Sequence, residues 1–386
     1  MRALLWLLVI LISYGSLYPF SFAAHEGSLE ELGRLFTAPN LNMGRGDLVG
    51  NLLLFVPYGF IAALLARQRH HPHQQLVWLL VNGAVLALAL QIIQIWLPSR
   101  VPALVDVFAN LGGMAIGVAL AGLLPRLLPR QVQSALGSEN SAQALFAGTL
   151  MLCWLSDQWF PLVPTLDLQN LLNALKPLLQ TLQPDPVRTL HTTCAWLAFF
   201  WLTKLLFKQP PGLIPIAVAS LLILAGKLFI VGAIISASNV FALALALAAS
   251  PLLQRHYGLN ALIVLMLLSL FVSGFSPFAL RNSPQTFHWI PFTGMLEGDM
   301  GNNLLNLIEK SYFYGALILL IHVNGARPLP AAIAAASCLL LIEGAQLFLA
   351  GRTAESTDPV LALLLGFALQ QTFSTNSARS RPARRQ

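Results

Sequence analysis

Two sets of polar residues recur in this chain at one fixed offset. The first reads Gly46, Asp47, Asn51, Gln91, Gln94, Arg100 and Asp106. The second reads Gly298, Asp299, Asn303, Glu343, Gln346, Arg352 and Asp358, each 252 positions later, with no gap needed. Apolar residues match by chance in an apolar chain, but a charged side chain costs about 2.5–3.5 kcal/mol or more in a bilayer. A duplicated set of costly residues therefore points to where the protein acts. A guanidinium offers a rigid fork of donors suited to a carboxylate or a phosphate, which makes Arg100 and Arg352 the natural centres of a binding set. Asp106, Asp358, Gln94, Gln346, Gln91 and Glu343 are placed to orient them. Asn51, Asn303, Asp47, Asp299 and Asn110 complete the inward polar faces, because residues three or four apart share one side of a helix.

Glu343 differs in kind from its counterpart Gln91, which keeps the shape and drops the charge. A carboxyl in a partly dry site suits a general acid, base or proton carrier, and Glu343 is the one catalytic candidate. Two structural readings compete with ligand binding. Glu343 would pair with Arg352, or Arg352 would pair with Asp358 while Asp358 caps its helix ahead of Pro359.

These residues sit on a lipid-like background. Apolar types make up 56% of the 386 residues and charged types 10%, too few to coat a soluble surface. The formal charge of +7 matters through its placement. Cys153, Cys194 and Cys338 lie in apolar stretches without disulfide or zinc spacing, so they read as small core residues. A helix needs about 20 apolar residues to cross hydrocarbon. By that measure the sequence predicts twelve spans, near residues 3–17, 47–66, 76–97, 103–124, 142–161, 189–207, 212–235, 237–253, 259–276, 301–322, 328–349 and 357–373. Ser21-Phe22-Ala23-Ala24 resembles a signal cleavage site, but the repeat needs the first helix as a member, so it is read as retained. Arg67, Arg126, Arg255, Arg327 and Arg379 each follow an even-numbered span, and Lys204 and Lys208 close the sixth. The positive-inside rule then places both termini in the cytoplasm and all the repeated polar positions near the outer leaflet.

The offset contains eight spans, so the copies run parallel, as in repeats related by an axis along the membrane normal. The expected architecture is all-α, with about twelve transmembrane helices in three parallel four-helix units. The units are 1–125, a middle one at 142–254 and a third at 259–373, followed by a basic cytoplasmic tail at 374–386. Tyr18-Pro19-Phe20 and Ser276-Pro277-Phe278 mark matching breaks after the leading helices. In the middle unit Lys227 and Asn239 keep the spacing of Gln346 and Asp358, but Ala233 stands at the arginine position. Lys227 is expected in mid-span, with Glu309 as a conceivable partner. Leu168, Leu171, Leu172, Leu175, Leu178 and Leu179 recur at helical spacing and predict an amphipathic helix on the outer face. Residues 125–141 read as a cytoplasmic linker.

His70, His71 and His73 form a wet basic loop more readily than a metal site, and no metal or cofactor is expected. The chain has no His-Glu-x-x-His, nucleotide-binding glycine loop, Gly-x-Ser-x-Gly or Cys-x-x-Cys. ATP hydrolysis and conventional protease or serine hydrolase chemistry are unsupported, and nothing suggests nucleic acid.

At these residues the chain resembles the VanZ-like family of membrane proteins. That pattern runs Asn, Pro-x-Gly, Glu-x2-Gln, Arg, Asp, Asn and Gly across a four-helix module. The first copy matches at Asn51, Pro57, Gly59, Gln94, Arg100, Asp106, Asn110 and Gly113 and departs at Gln91. The last copy matches at Asn303, Glu343, Gln346, Arg352 and Asp358 and departs at Glu309, Ser311 and Ala362. Each copy lacks something the other keeps, so one composite site is an alternative to two independent ones. The resemblance implies a multi-pass protein of the bacterial cytoplasmic (inner) membrane. Its namesake is linked to low-level resistance to teicoplanin, which acts at the outer surface. The expected function is non-catalytic binding of an anionic or amphiphilic envelope component, such as a membrane lipid or lipid-linked molecule, at the outer leaflet. The alternatives are a membrane-embedded enzyme with Glu343 as acid or base and, last, a transporter.

Overall fold

A computed structural model describes residues 2–23, 28–37, 45–127, 132, 141–207, 209–297 and 300–379. Among these residues the chain is helical, with isolated β-bridges and no extended strand. It divides into two compact units, Met1–Pro129 and Arg130–Gln386, so the segments expected as middle and third modules lie in one unit.

The first unit contains α1 (Arg2–Leu17), α2 (Ser28–Thr37), α3 (Arg45–Ala66), α4 (Pro72–Gln94) and α5 (Leu104–Leu127). Its most extensive packing joins α3 to α5. Glycines make that approach possible. A Cβ at Gly59 would run into the backbone of Met114, one at Gly113 into Leu52, and one at Gly117 into Val56. Between helices in lipid, association rests on close van der Waals contact, so such small residues are the packing device. Ile12, Phe55, Tyr58, Ala62, Ala87, Leu90 and Met114 form the core beside this contact. The Tyr58 hydroxyl is satisfied by donating to Leu79 O at 2.8 Å.

The second unit contains α6 (Ser141–Gln158), α7 (Leu168–Gln180), α8 (Pro186–Leu206), α9 (Leu213–Gly226), α10 (Ala237–Ala249), α11 (Gly258–Phe275), α12 (Thr293–Glu297), α13 (Met300–Val323), α14 (Pro328–Gln346) and α15 (Thr357–Arg379). Their starts follow local chemistry. Asp185 accepts the N–H groups of Val187 and Arg188 ahead of α8, with Pro186 as first residue. Ser236 and Asn239 form a reciprocal capping box on α10. Residues 312–320 of α13 are buried on every side, as an apolar run without a polar face must be. The expected amphipathic helix is α7, with Asp167 capping it through Gln169 N–H at 3.1 Å.

Among the described residues six helices are long and apolar enough to cross a membrane, and Arg2–Leu17, Gly50–Ala66 and Leu213–Phe229 are apolar but shorter. The span expected at 212–235 is cut short. Its α-helix ends at Gly226 and a 3₁₀ turn carries the chain to Phe229. Lys227 therefore lies at a helix end, not in mid-span. The apolar run continues past it because Ile230 pairs with Pro164 in a short bridge. The last helix extends to Arg379, beyond the expected 373. Asp299, most of the 125–141 linker and residues 380–386 lie outside the described residues, as does the side chain of Asp47.

Among the described residues a helix break of this kind occurs three times. Beside Tyr18-Pro19-Phe20 and Ser276-Pro277-Phe278 stands Phe160-Pro161-Leu162, all with cis peptides. In each, the residue after proline takes positive φ, at 63°, 63° and 65° for Phe20, Phe278 and Leu162. In each, its N–H returns to the third residue back: Phe20 to Leu17 O, Leu162 to Trp159 O and Phe278 to Phe275 O. Three residues further on, the chain docks beside the turn after the third helix of its own set. Ala23 N–H donates to Trp96 O at 2.9 Å, Thr165 to Phe229 O at 2.8 Å and Arg281 to Phe348 O at 2.9 Å. Gly232 and Gly351 follow with φ of 72° and 73°, a conformation that costs glycine no Cβ clash.

The packing of α3 on α5 gives a direct check. Gly59→Ala should lower the thermal midpoint of the detergent-solubilised protein, at a cost of roughly 1–3 kcal/mol. Gly112→Ala, with nothing within 4 Å of the new Cβ, should raise or preserve it. Equal midpoints for the two variants would contradict the close backbone contact.

Candidate functional site

Proline has no N–H, so the carbonyl four residues before it loses its helical donor. In hydrocarbon that loss must be made good within the protein. At the last break Arg352 does so. Its Nε donates to Ser276 O and its Nη2 to Ser273 O, each at 2.6 Å. At the first break Arg100 Nη2 donates to Tyr18 O, the same position, at 3.4 Å. The repeated glutamines reach the same segments: Gln94 Nε2 donates to Ser16 O at 2.8 Å and Gln346 Nε2 to Gly274 O at 3.1 Å.

The Gln91 and Glu343 position closes the other side of the turn. Gln91 Oε1 accepts Ala103 N–H at 2.9 Å, and Glu343 Oε2 accepts Glu355 N–H at 2.8 Å, twelve residues on in both cases. Both side chains supply the acceptor this turn needs, which lets amide and acid interchange in that role. Gln91 Nε2 also donates to Asp106 Oδ2 at 3.3 Å. Asn110 is buried nearby in sequence, and its Oδ1 has no partner among the described residues.

Asp358 pairs with neither arginine nor its own helix start. Its carboxylate accepts Lys310 Nζ on Oδ1 and the Tyr314 hydroxyl on Oδ2, both at 2.6 Å. The Arg352–Asp358 and Arg352–Glu343 pairs that compete with the ligand-binding reading do not form: the proline break commits the guanidinium to carbonyls, and α13 supplies the cation to Asp358 instead. Asn303 Nδ2 donates to Gly294 O and Met295 O, holding α12 against the start of α13. Asn51 is half-buried on α3.

Within the second unit these residues border a cavity of 890 Å³. Glu343, Gln346, Arg352 and Asp358 all line it, as do Lys227, Asn239 and Glu309. Sequence reasoning missed Asp157, Arg188, His191, Lys310 and Tyr314, which line it too. Asn303, Asn306, Lys310 and Tyr314 recur at intervals of three or four, a polar stripe on an otherwise apolar helix that carried the signal. Lys227 lies within electrostatic reach of Asp157, Arg188 and Glu309, with Asp157 the strongest neighbour. His191 Nε2 stands 3.7 Å from Glu309 Oε1, its ring stacks on Phe313, and its Nδ1 is 3.1 Å from Ser269 Oγ. The lining holds six carboxylates (Asp157, Asp185, Glu309, Glu343, Glu355, Asp358) against four cations (Arg188, Lys227, Lys310, Arg352). Such a wall does not select for a purely anionic guest. A cavity of 620 Å³ in the first unit is mainly apolar, and none of the repeated polar residues lines it. Among the described residues no group of three or more His, Cys, Asp or Glu is placed to hold a metal.

The Asp358 cluster yields a prediction. Tyr314→Phe removes a hydrogen bond to a charged group and should cost about 1.5–3 kcal/mol. Combined with Asp358→Asn the loss should fall short of the sum of the single changes. Additive thermal-unfolding losses would contradict a shared cluster.

No curated protein and no solved structure matches the chain. Residues 3–125 match the VanZ/LLP1 family, a stretch that spans nearly all of the first unit. The repeated Asn51, Gln94, Arg100, Asp106 and Asn110 thus sit on α3, α4, α5 and their turns within a VanZ-like domain.

Proposed function

We propose that the protein is a multi-pass membrane protein that holds the polar head of an amphiphilic envelope molecule in the cavity of its second unit. In this reading twelve crossings form three parallel four-helix copies, 1–125, 142–254 and 259–373, with both termini cytoplasmic and the polar turns at the outer leaflet. Support for three copies comes from the break-and-dock pattern that recurs around Pro19, Pro161 and Pro277. Support for orientation comes from the basic residues after the even-numbered spans. The observation that carries the binding reading is the 890 Å³ cavity, of ordinary ligand-pocket size, ringed by opposed charges beside apolar helices.

The link between the VanZ namesake and teicoplanin resistance supplies the same neighbourhood, the outer face of a bacterial membrane. A purely anionic ligand is disfavoured, because Lys310 is taken by Asp358 and two of the Arg352 nitrogens by carbonyls. The enzyme reading keeps one supporting fact, that Glu343 lines the cavity. Against it, Glu343 Oε2 is engaged by Glu355 N–H just as Gln91 is by Ala103 N–H. Glu343 then reads as a positioning residue.

Two tests follow. Protein extracted in mild detergent and examined by native mass spectrometry should retain an amphiphile near one per chain. Leu305→Trp, which fills the cavity from α13, should cut that occupancy about tenfold with the thermal midpoint unchanged. Equal retention in both proteins would remove the cavity from the account. Separately, Glu343→Gln should keep fold and retained amphiphile, whereas Glu343→Leu should lose roughly 1–3 kcal/mol by stranding Glu355 N–H.

A further inference from the structure

The middle break has lost both of its side-chain caps. Gly351 and Gly232 share one backbone conformation, so Ala233 follows its glycine as Arg352 follows Gly351. Lys227 stands where Gln346 does, two residues before the docking carbonyl of Phe229 as Gln346 is two before that of Phe348. The carbonyls corresponding to Ser273, Gly274 and Ser276 are those of Asp157, Gln158 and Phe160. Asp157 O faces Pro161 four residues on and so has no helical donor. Among the described residues no side chain donates to any of the three; Gln158 Nε2 turns instead to the Asp157 carboxylate at 2.9 Å. Asp157, Gln158, Phe160, Gly232 and Ala233 all line the 890 Å³ cavity.

The arginine position is therefore vacated and opens on the cavity. We propose that a ligand's primary ammonium occupies this place, accepted by the carbonyls of Asp157 and Phe160 and by the Asp157 carboxylate. Backbone carbonyls and a carboxylate accept and cannot donate, so they select a cation with N–H groups. Lys227 and Arg188 border the same cavity, and neither side chain makes a hydrogen bond among the described residues. Alone they would repel an ammonium, but Asp157, Asp185 and Glu309 offset them, and their free donors suit a phosphate. The ligand class is a zwitterionic amphiphile with an ammonium and a phosphate in one head group. This rests on the cavity reading above and specifies its polar guest.

The probes are phosphatidylethanolamine, phosphatidylcholine (no N–H on its cation) and phosphatidylglycerol (no cation), each offered to the full-length protein in nanodiscs and counted by native mass spectrometry. Wild type should retain phosphatidylethanolamine roughly tenfold over the other two. Ala233→Arg places the missing cap and should abolish that preference while the thermal midpoint holds or rises. Asp157→Asn, which needs no new side chain accommodated, should weaken the preference several-fold. A wild type indifferent among the three lipids, or an Ala233→Arg protein with wild-type preference, would overturn the ammonium site. If Leu305→Trp empties the cavity while wild type shows no preference, only this subsite fails. If Leu305→Trp changes nothing, the cavity reading fails with it.

Discussion

A helix that stops at a proline strands carbonyls, and each stranded acceptor is costly where water cannot reach it. That requirement organises the chain. Arg352 and Gln346 close the break at Pro277, and Arg100 and Gln94 close the one at Pro19. Once capped, the segment after the break can dock on the turn beyond the third helix. That turn in turn needs an acceptor for its own N–H, supplied by Glu343 or Gln91. Gln91, Gln94 and Arg100, and likewise Glu343, Gln346 and Arg352, thus serve one break and the turn beside it, which gives part of their recurrence a structural cause.

The copies diverge where that scaffold is satisfied by other means. In the last copy Lys310 and Tyr314 on α13 gather the Asp358 carboxylate and bring a charged cluster onto the cavity wall. In the first unit Tyr58 stands at the place of Lys310 and Ala62 at the place of Tyr314, and Tyr58 donates instead to Leu79 O inside an apolar core with glycine-mediated packing. The two units therefore carry different interiors: the first has glycine-mediated packing beside an apolar cavity, the second borders a polar one. A middle segment with the frame but without its caps completes that cavity.

The sequence showed the duplicated set because charged and amide residues are too costly in a membrane to match by chance. It showed the break at Pro19 and its counterpart at Pro277 for the same reason of position. The break at Pro161 stayed hidden because its recurrence lies in backbone hydrogen bonds, which impose no residue type, while the polar markers Arg and Gln had changed to Ala233 and Lys227. Composition puts Lys227 in mid-span because apolar residues continue past the end of α9 into a bridged loop. A direct Arg352–Asp358 pair looks plausible in sequence because only six residues across a turn separate the two. Their partners came from other helices, which spacing along one helix cannot reveal.

The central claim concerns what the arginine touches. Solid-state NMR on protein in lipid, with ¹⁵N-labelled arginine side chains, ¹³C-carbonyl serine and, in a second sample, ¹³C-carboxylate aspartate and glutamate, measures that contact through dipolar coupling. The account predicts coupling from the Arg352 guanidinium to the carbonyls of Ser276 and Ser273, lost on Arg352→Lys. Absence of that coupling, with the guanidinium coupled instead to the labelled carboxylates of Asp358 or Glu343, would contradict it.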